Sequence, residues 1–364
     1  MFSKEFKEKY KIWVLVPFLE SDDPNIQYYY DFTESITEYT QVFEELQVEW
    51  QWQPVQMIDF EQIICSIPKK SGYKTPLVLN LCDGDEVNGV VGVSAIKLLE
   101  ENDIIYTGSD AHFYKITTSK IPMKKAFDAA NIATPIWEIL EKDNSIHGIF
   151  NRMGSPLILK PAVSGGSMGI SLKNVVSTED DCLVCLQALR EGYHGWNLTE
   201  GGVIAEKFIK GREFTTFLIG SCDAPEKIIF YPPVERVFHE SLPENERFLS
   251  FDRLWETYDT ETRMPDEGFL YNYAPVEKSL TEKLQTLSIT AYKAVGGMGY
   301  GRLDIRLDAD TQKCYVLEVN AQCGLSADEN HTSIGAILRF SNKTFTHLTY
   351  EILDDAIIRH AKKV

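Results

Sequence analysis

The stretch Ser155-Pro-Leu-Ile-Leu-Lys160-Pro-Ala-Val-Ser-Gly-Gly-Ser-Met-Gly169 reads as an apolar strand that delivers a lysine straight into a loop of small residues. Such a loop lets backbone N–H groups approach phosphate oxygens closely, and Lys160 adds a point charge beside them. The lysine precedes the glycines, whereas a Walker A loop carries it after them. Taken alone, the pattern is equally that of a strand ending in a mobile turn, because glycine loops are common.

Two further segments give it a context. Arg302-Leu-Asp304-Ile-Arg306 and Val316-Leu-Glu318-Val-Asn320 read as the arms of a hairpin with its turn near Asp308 to Lys313. Side chains alternate faces along a strand, so Arg302, Asp304 and Arg306 share one side and Leu303, Ile305 and Leu307 the other. Asp304 and Glu318 then sit across from one another. Two carboxylates and an amide oxygen are hard ligands suited to Mg2+. The plainer alternative, an exposed hairpin laced with ion pairs, leaves the facing carboxylates to repel without a cation. In Val203-Ile-Ala-Glu206-Lys-Phe-Ile209-Lys-Gly-Arg-Glu213-Phe-Thr, a strand ends at Glu206 and an acid recurs after Gly211. That suits a nucleoside pocket, although an exposed charged loop has the same look.

Outward from these segments the chain alternates strand and helix patterns. Lys11 to Phe18, Pro76 to Leu81 and Ile104 to Tyr106 read as strands, with helices at Phe32 to Val48 and Val90 to Asn102. This is an open, Rossmann-like α/β arrangement over 1–112. A second unit, 113–211, holds a helix at Lys120 to Ala130, strands at Leu157 to Lys160 and Gly202 to Phe208, and a helix near Thr178 to Glu191. The third unit, 212–364, has a poorly periodic, proline-containing stretch from Asp223 to Tyr273, read as long loops or lids. A helix at Thr281 to Val295, the hairpin and a helix from about Thr346 follow.

The chain has 364 residues and a formal charge of −18, which argues against nucleic acid as a partner because phosphate backbones need clustered Lys and Arg. An acidic protein can still bind ATP through a few lysines within one cleft. No apolar run is long enough to span a membrane. The N-terminus lacks the apolar core and cleavage site of a signal peptide. An odd count of cysteines, seven, scattered through the chain suggests reduced thiols and a cytoplasmic location. Cys182-x-x-Cys185 has no second pair and falls in a helix pattern, so a buried helix face is expected there.

The three chemical segments, in this order and spacing, resemble the ATP-grasp superfamily and within it the D-alanine–D-alanine ligase family. The likeness covers about residues 76–353 and includes Tyr106-Thr-Gly-Ser109, Lys120 with Lys124, and Gly324 after the metal strand. It implies an α/β protein of three ATP-grasp domains that joins a carboxylate to an amine through an acyl phosphate. ATP would be held by Lys120 and Lys160, by the Ser164, Gly165, Gly166, Ser167 loop, by Glu206, Lys207, Phe208 and Ile209 at the adenine, and by Glu213 at the ribose. Asp304, Glu318 and Asn320 would bind two Mg2+ ions, with Mn2+ an admissible substitute. Arg302, with Lys160 and Gly324, would serve the reacting atoms. The partners implied are small molecules, a carboxylate and an amine, with a homodimer as the assembly found among related ligases.

The departures lie on the substrate side. The family's N-terminal glycine loop with its glutamate is replaced by Val16-Pro-Phe-Leu-Glu20-Ser-Asp22-Asp23-Pro, and its histidine–glycine segment by Cys82-Asp83-Gly84-Asp85-Glu86. Gly166 stands where a serine is expected. Arg253 is the candidate for a missing lid cation. Asp328 and Glu329 fall where a serine would receive the second substrate's carboxylate, and a carboxylate there would repel it. These differences, with Glu20, Cys82 and Asp83 as candidate substrate contacts, point to two amino-acid-like substrates other than D-alanine with D-alanine. The alternatives are a true D-alanine–D-alanine ligase, an ATP-binding regulatory protein without turnover, and a phosphotransferase that stops at a phosphorylated product.

Overall fold

The computed structural model describes residues 3–22, 27, 30–141, 143–258, 261, 263, 264 and 268–362. Part of the 16–24 stretch and part of the lid region therefore lie outside the described residues.

The first sheet is parallel throughout, in the order β2 (Trp50–Val55), β1 (Tyr10–Pro17), β3 (Thr75–Asn80), β4 (Ile105–Tyr106). Ile12, Trp13, Val14, Leu15 and Val16 are all buried, as expected for a parallel strand covered on both faces. Ile12, Val14 and Val16 meet Tyr39, Val42, Phe43 and Leu46 of the helix Thr33–Leu46. Trp13 and Leu15 point the other way, onto Ile64 and Ile67 of Phe60–Lys70 and Ala95 and Leu99 of Val93–Glu101. The edge strand β2 and the helix after it are not among the expected elements. Trp50-Gln-Trp-Gln-Pro-Val carries glutamines and a proline, and proline is tolerated only at an edge such as this one.

The second sheet is antiparallel, in the order β5 (Trp137–Ile139), β8 (Val203–Lys207), β6 (Leu157–Pro161), β7 (Val175–Val176). The helix Glu179–Glu191 starts at Thr178, whose side chain caps Asp181 N–H, and has three acids in its first turn, which favours that end electrostatically. It buries Cys182 and Cys185 with Leu186 and Leu189, the buried face that the spacing anticipates.

The third sheet runs β12 (Tyr271–Pro275), β11 (Val234–Phe238), β9 (Gly211–Ile219), β13 (Tyr300–Asp308), β14 (Cys314–Ala321), with β10 (Ile229–Phe230) paired to the end of β9. The expectation of loops over 223–273 is thus corrected: β10, β11 and the start of β12 lie there, too short and too close to prolines to show a period. Leu303, Ile305, Leu307, Val316 and Val319 face a core that also holds Phe113, Met123, Phe127 and Leu284. The helices Ala111–Thr118, Lys120–Ala129 and Lys278–Ala294 thus back this sheet and leave its other face open toward the second sheet. Ile334, Ile337, Leu348 and Ile352 of the last two helices, Ser333–Ser341 and Phe345–Ala361, join the core of the first sheet.

Candidate active site

The open face of the third sheet carries the charged row of the hairpin. Asp304 pairs directly with Glu318, and Arg302 with Asn320. Asn320 Nδ2 lies 3.2 Å from both Asp304 Oδ2 and Glu318 Oε1, and Arg302 Nη2 is also 3.2 Å from Asp304 Oδ2. Thr215 on β9 donates to the other Asp304 oxygen at 2.9 Å. Burial pushes the Asp304 carboxyl up, but the charges of Arg302 and Arg236 outweigh it and hold the group below its ordinary value. Arg302 leaves its buried Nε without a hydrogen-bond partner.

Register shifts between Asp304 and Ile305, which pair with Glu318 and Val316. Leu317 is therefore the extra residue of a β-bulge. Leu317, Glu318 and Asn320 all line the cleft, while Val316 and Val319 stay in the core. The bulge adds an apolar floor beside the acidic pair without turning either carboxylate away.

Opposite this row stand the cations. Lys120, at the start of its helix, lies 4.0 Å from Glu318 Oε2 and donates to Ser164 Oγ at 3.0 Å and to Ser164 O at 3.2 Å. Lys160 comes from β6 and lies 2.7 Å from Glu206 Oε1 on β8. The second Glu206 oxygen is 2.5 Å from Lys124 Nζ, which in turn lies 2.5 Å from Thr134 Oγ1. Burial would raise Glu206, yet the two lysine charges bring its carboxyl down to about 2. Burial holds Lys120 and Lys124 below the ordinary lysine value.

An apolar slot closes one end of the cleft: Ile158, Ile170, Phe208 and Phe248 form a small cluster, with the two phenyl rings edge to face at 5.8 Å. The Ser164–Met168 loop and Trp255 lie over the opening, joined by a 2.9 Å hydrogen bond from Trp255 Nε1 to Gly166 O. The whole cleft has a volume of about 560 Å3. It combines a flat apolar slot, two lysines beneath a glycine loop, and hard oxygen donors next to an arginine.

Residues 127–335, more than half of the chain, match the family described as D-ala D-ala ligase C-terminus. The chain belongs to that family. A D-alanine–D-alanine ligase of Bordetella petrii is 27% identical over 259 residues, 71% of this chain and 70% of the relative. One from Acinetobacter baumannii is 25% identical over 292 residues, 80% of this chain and 82% of that protein. Among solved structures, a D-alanine–D-alanine ligase from Bacillus anthracis complexed with ATP superposes with a TM-score of 0.69 at 18% identity, covering 98% of this chain and 99% of that one. The fold is thus ATP-grasp, and this family member is an ATP-dependent carboxylate–amine ligase.

In this D-ala D-ala ligase family chain, Lys120, Lys160, Ser164, Gly165, Gly166, Ser167, Glu206, Lys207, Phe208, Ile209, Glu213, Arg302, Asp304, Glu318, Asn320, Gly324 and Asp83 all line the one cleft. Two of these acids are already engaged within the protein. The two oxygens of Glu206 lie against Lys124 and Lys160. Both oxygens of Glu213 are held as well, one by Arg236 Nη1 and the other by Arg306 Nε at 2.9 Å.

Five substrate-side candidates are not in the lining. Glu20 is exposed, and Cys82 is fully buried in the first core with its thiol pushed well up by that burial. Arg253 points to Glu246, 2.9 Å away, and to Glu261, outside the lining of the cleft. Asp328 turns back onto its own loop, accepting from Asn330 N–H at 2.9 Å. Glu329 faces solvent, so the repulsion expected of it does not reach a substrate. Ser326, His331, Thr332 and Ser333 line that end instead, along with Tyr271, Tyr273 and Arg236. Arg236 and Tyr273 fall in the stretch read as loops, and once β11 and β12 are drawn their pairing is evident.

Proposed function

We propose that this chain joins two amino-acid-like molecules by an amide bond, transferring the γ-phosphoryl group of ATP to the carboxylate of one and admitting the amine of the other. The observation that carries this reading is the facing of Asp304 and Glu318 beside Arg302, with Lys120 4.0 Å from Glu318 across the cleft. Asp304, Glu318 and Asn320 form a donor set of hard oxygens that fits Mg2+, with the Asn320 amide turned to offer its oxygen. When bound there, the ion would offset charge on the phosphates as the group moves. Lys120 and Lys160 would hold phosphate oxygens, with Glu206 and Lys124 fixing the aim of Lys160. Phe208, Ile209, Ile158 and Leu317 would sandwich the adenine. Arg302, with its unpartnered Nε, would take the developing oxyanion.

In this proposal 1–112 supplies the substrate wall, 113–211 the nucleotide lid and 212–364 the metal-bearing floor. The helices 111–118 and 120–129 pack on the floor's sheet and act as its hinge side. Asp83 favours a substrate bearing an ammonium or other cationic group: its carboxyl lines the cleft and is exposed there. A pairing of D-alanine with itself is the second reading, supported by the names of the relatives and by Glu329 lying outside the cleft.

The test is Mg2+-dependent phosphate release from ATP with pairwise D- and L-amino acids, amines and small carboxylates, with mass spectrometry of products. A condensed product that depends on the pair is expected. ATP binding with no phosphate release for any pair would overturn the ligase reading in favour of a regulatory one, and a phosphorylated product without an amine would replace it with phosphotransfer.

A further inference from the structure

Of the seven histidines, His331 is the one that lines the cleft among the described residues. Its ring is not loose: Nδ1 lies 2.8 Å from Asp328 Oδ2. The other Asp328 oxygen accepts the backbone N–H of Asn330 at 2.9 Å and of His331 at 3.2 Å, which fixes the carboxylate in place. Burial raises Asp328, but those bonds and the imidazole outweigh it and keep the group ionised below its ordinary range. A carboxylate on Nδ1 selects the tautomer with the proton there and leaves Nε2 as an acceptor.

The ring is also placed from behind. Tyr271 on β12 donates to the His331 carbonyl at 3.1 Å, and the Phe269 ring meets the imidazole at 6.0 Å. Tyr271 lies under the guanidinium of Arg236, 5.1 Å from its ring centre, and feels the charge of Arg302 as well. His331 thus shares Tyr271 with Arg236 and Arg302. The titratable groups that face it are Asp328 on its own loop and Tyr271 on β12. It is separate from the hairpin acids and touches none of them.

Resting on the ligase reading, we infer that His331, oriented by Asp328, is the general base that takes a proton from the incoming ammonium. An amine reaches the site protonated and cannot attack until one proton leaves. That proton passes to His331 Nε2, and the freed lone pair attacks the acyl carbon. The C–N bond forms and the carbonyl electrons move onto oxygen beside Arg302; as that tetrahedral oxyanion collapses the C–O bond to phosphate breaks, phosphate departs with the electron pair, and it accepts the second N–H proton. Asp328 is a positioning residue: it acts through the ring and touches no substrate.

The discriminating probe is hydroxylamine, which is already neutral at neutral pH and needs no base to intercept an acyl phosphate. With the amino-acid pair that the unaltered chain condenses best, His331→Asn and His331→Gln should lower kcat/KM for the amine by about 100-fold or more. Hydroxamate formation from the carboxylate partner should stay within a few-fold of the unaltered chain. Asp328→Asn should show an intermediate loss of ligation with hydroxamate formation likewise unchanged. Unchanged ligation across the pH range would overturn the inference, and so would parallel loss of ligation and hydroxamate, which marks a structural role. An unaltered chain that condenses no pair would instead remove the ligase reading itself.

Discussion

Glu206 is a buried acid whose charge is balanced entirely from within the protein. Its carboxylate is shared between Lys124 and Lys160 in a fully buried triad, and removing its charge would leave Lys124 unpaired in the interior. Glu206→Gln should cost about 3–5 kcal/mol of stability, the range for a broken buried pair. The sign with pH follows from a folded carboxyl at about 2 against an ordinary 4.5: the contribution is complete above the ordinary value and drains away as pH falls toward 2. Urea midpoints of the two proteins should therefore converge on acidification, and a constant gap would refute the role. Arg302→Met should lower kcat about 100- to 1,000-fold with little change in KM for ATP, as expected when a group meets only the developing oxyanion. Steady-state phosphate release resolves the two constants.

At the scale of the element, the bulge in β14 makes a cleaner experiment than any substitution. Removing Leu317 would restore a regular ladder in which Asp304 still faces Glu318 and Ile305 still faces Val316. Asp304, Glu318 and Asn320 keep their faces, while the cleft loses the Leu317 side chain. KM for ATP should rise about 10-fold or more, the effect of exposing most of a buried leucine contact, with the Mg2+ dependence unmoved. A shifted Mg2+ dependence would show that the bulge positions the acids too. Trp255→Phe removes the hydrogen bond to Gly166 and should raise KM for ATP by up to about 10-fold through a looser loop. This level also marks where the sequence stops being legible. The facing of Asp304 and Glu318 follows from period 2 and a short turn, and β1 from an unbroken apolar run. A single extra residue in β14 leaves no trace in the pattern, and Val234 to Phe238 is too short to show one. Acidic residues also look alike in sequence whether they are locked, as Glu213 is by two arginines, or open, as Asp83 is. Glu329 read as a substrate contact because spacing alone does not say which way a loop turns.

For the molecule as a whole, Gln322 is the clip between the first and third sheets. Its Oε1 accepts from Ser109 N–H at 2.9 Å and its Nε2 donates to Asn80 O at 2.7 Å, all three groups being buried. Gln322→Ala would strand two buried backbone groups and should cost about 2–4 kcal/mol, read as a lower urea midpoint. Gly108 has φ +86°, and a Cβ there would fall 1.5 Å from Gln322 Oε1, so Gly108→Ala should do comparable harm from the other side. The core of the first sheet continues into the last two helices, so these units should melt in one transition.

The hydrogen bond from Lys120 to Ser164 has a consequence for time as well as for place. If Lys120 holds phosphate as proposed, its ammonium, which spends two of three donors on Ser164, would exchange those bonds for phosphate oxygens. Arrival of the nucleotide then becomes a swap whose first half belongs to the protein alone. In rapid mixing, the observed rate should climb with ATP and then level off at the loop's own release rate, and Ser164→Ala should lift that ceiling.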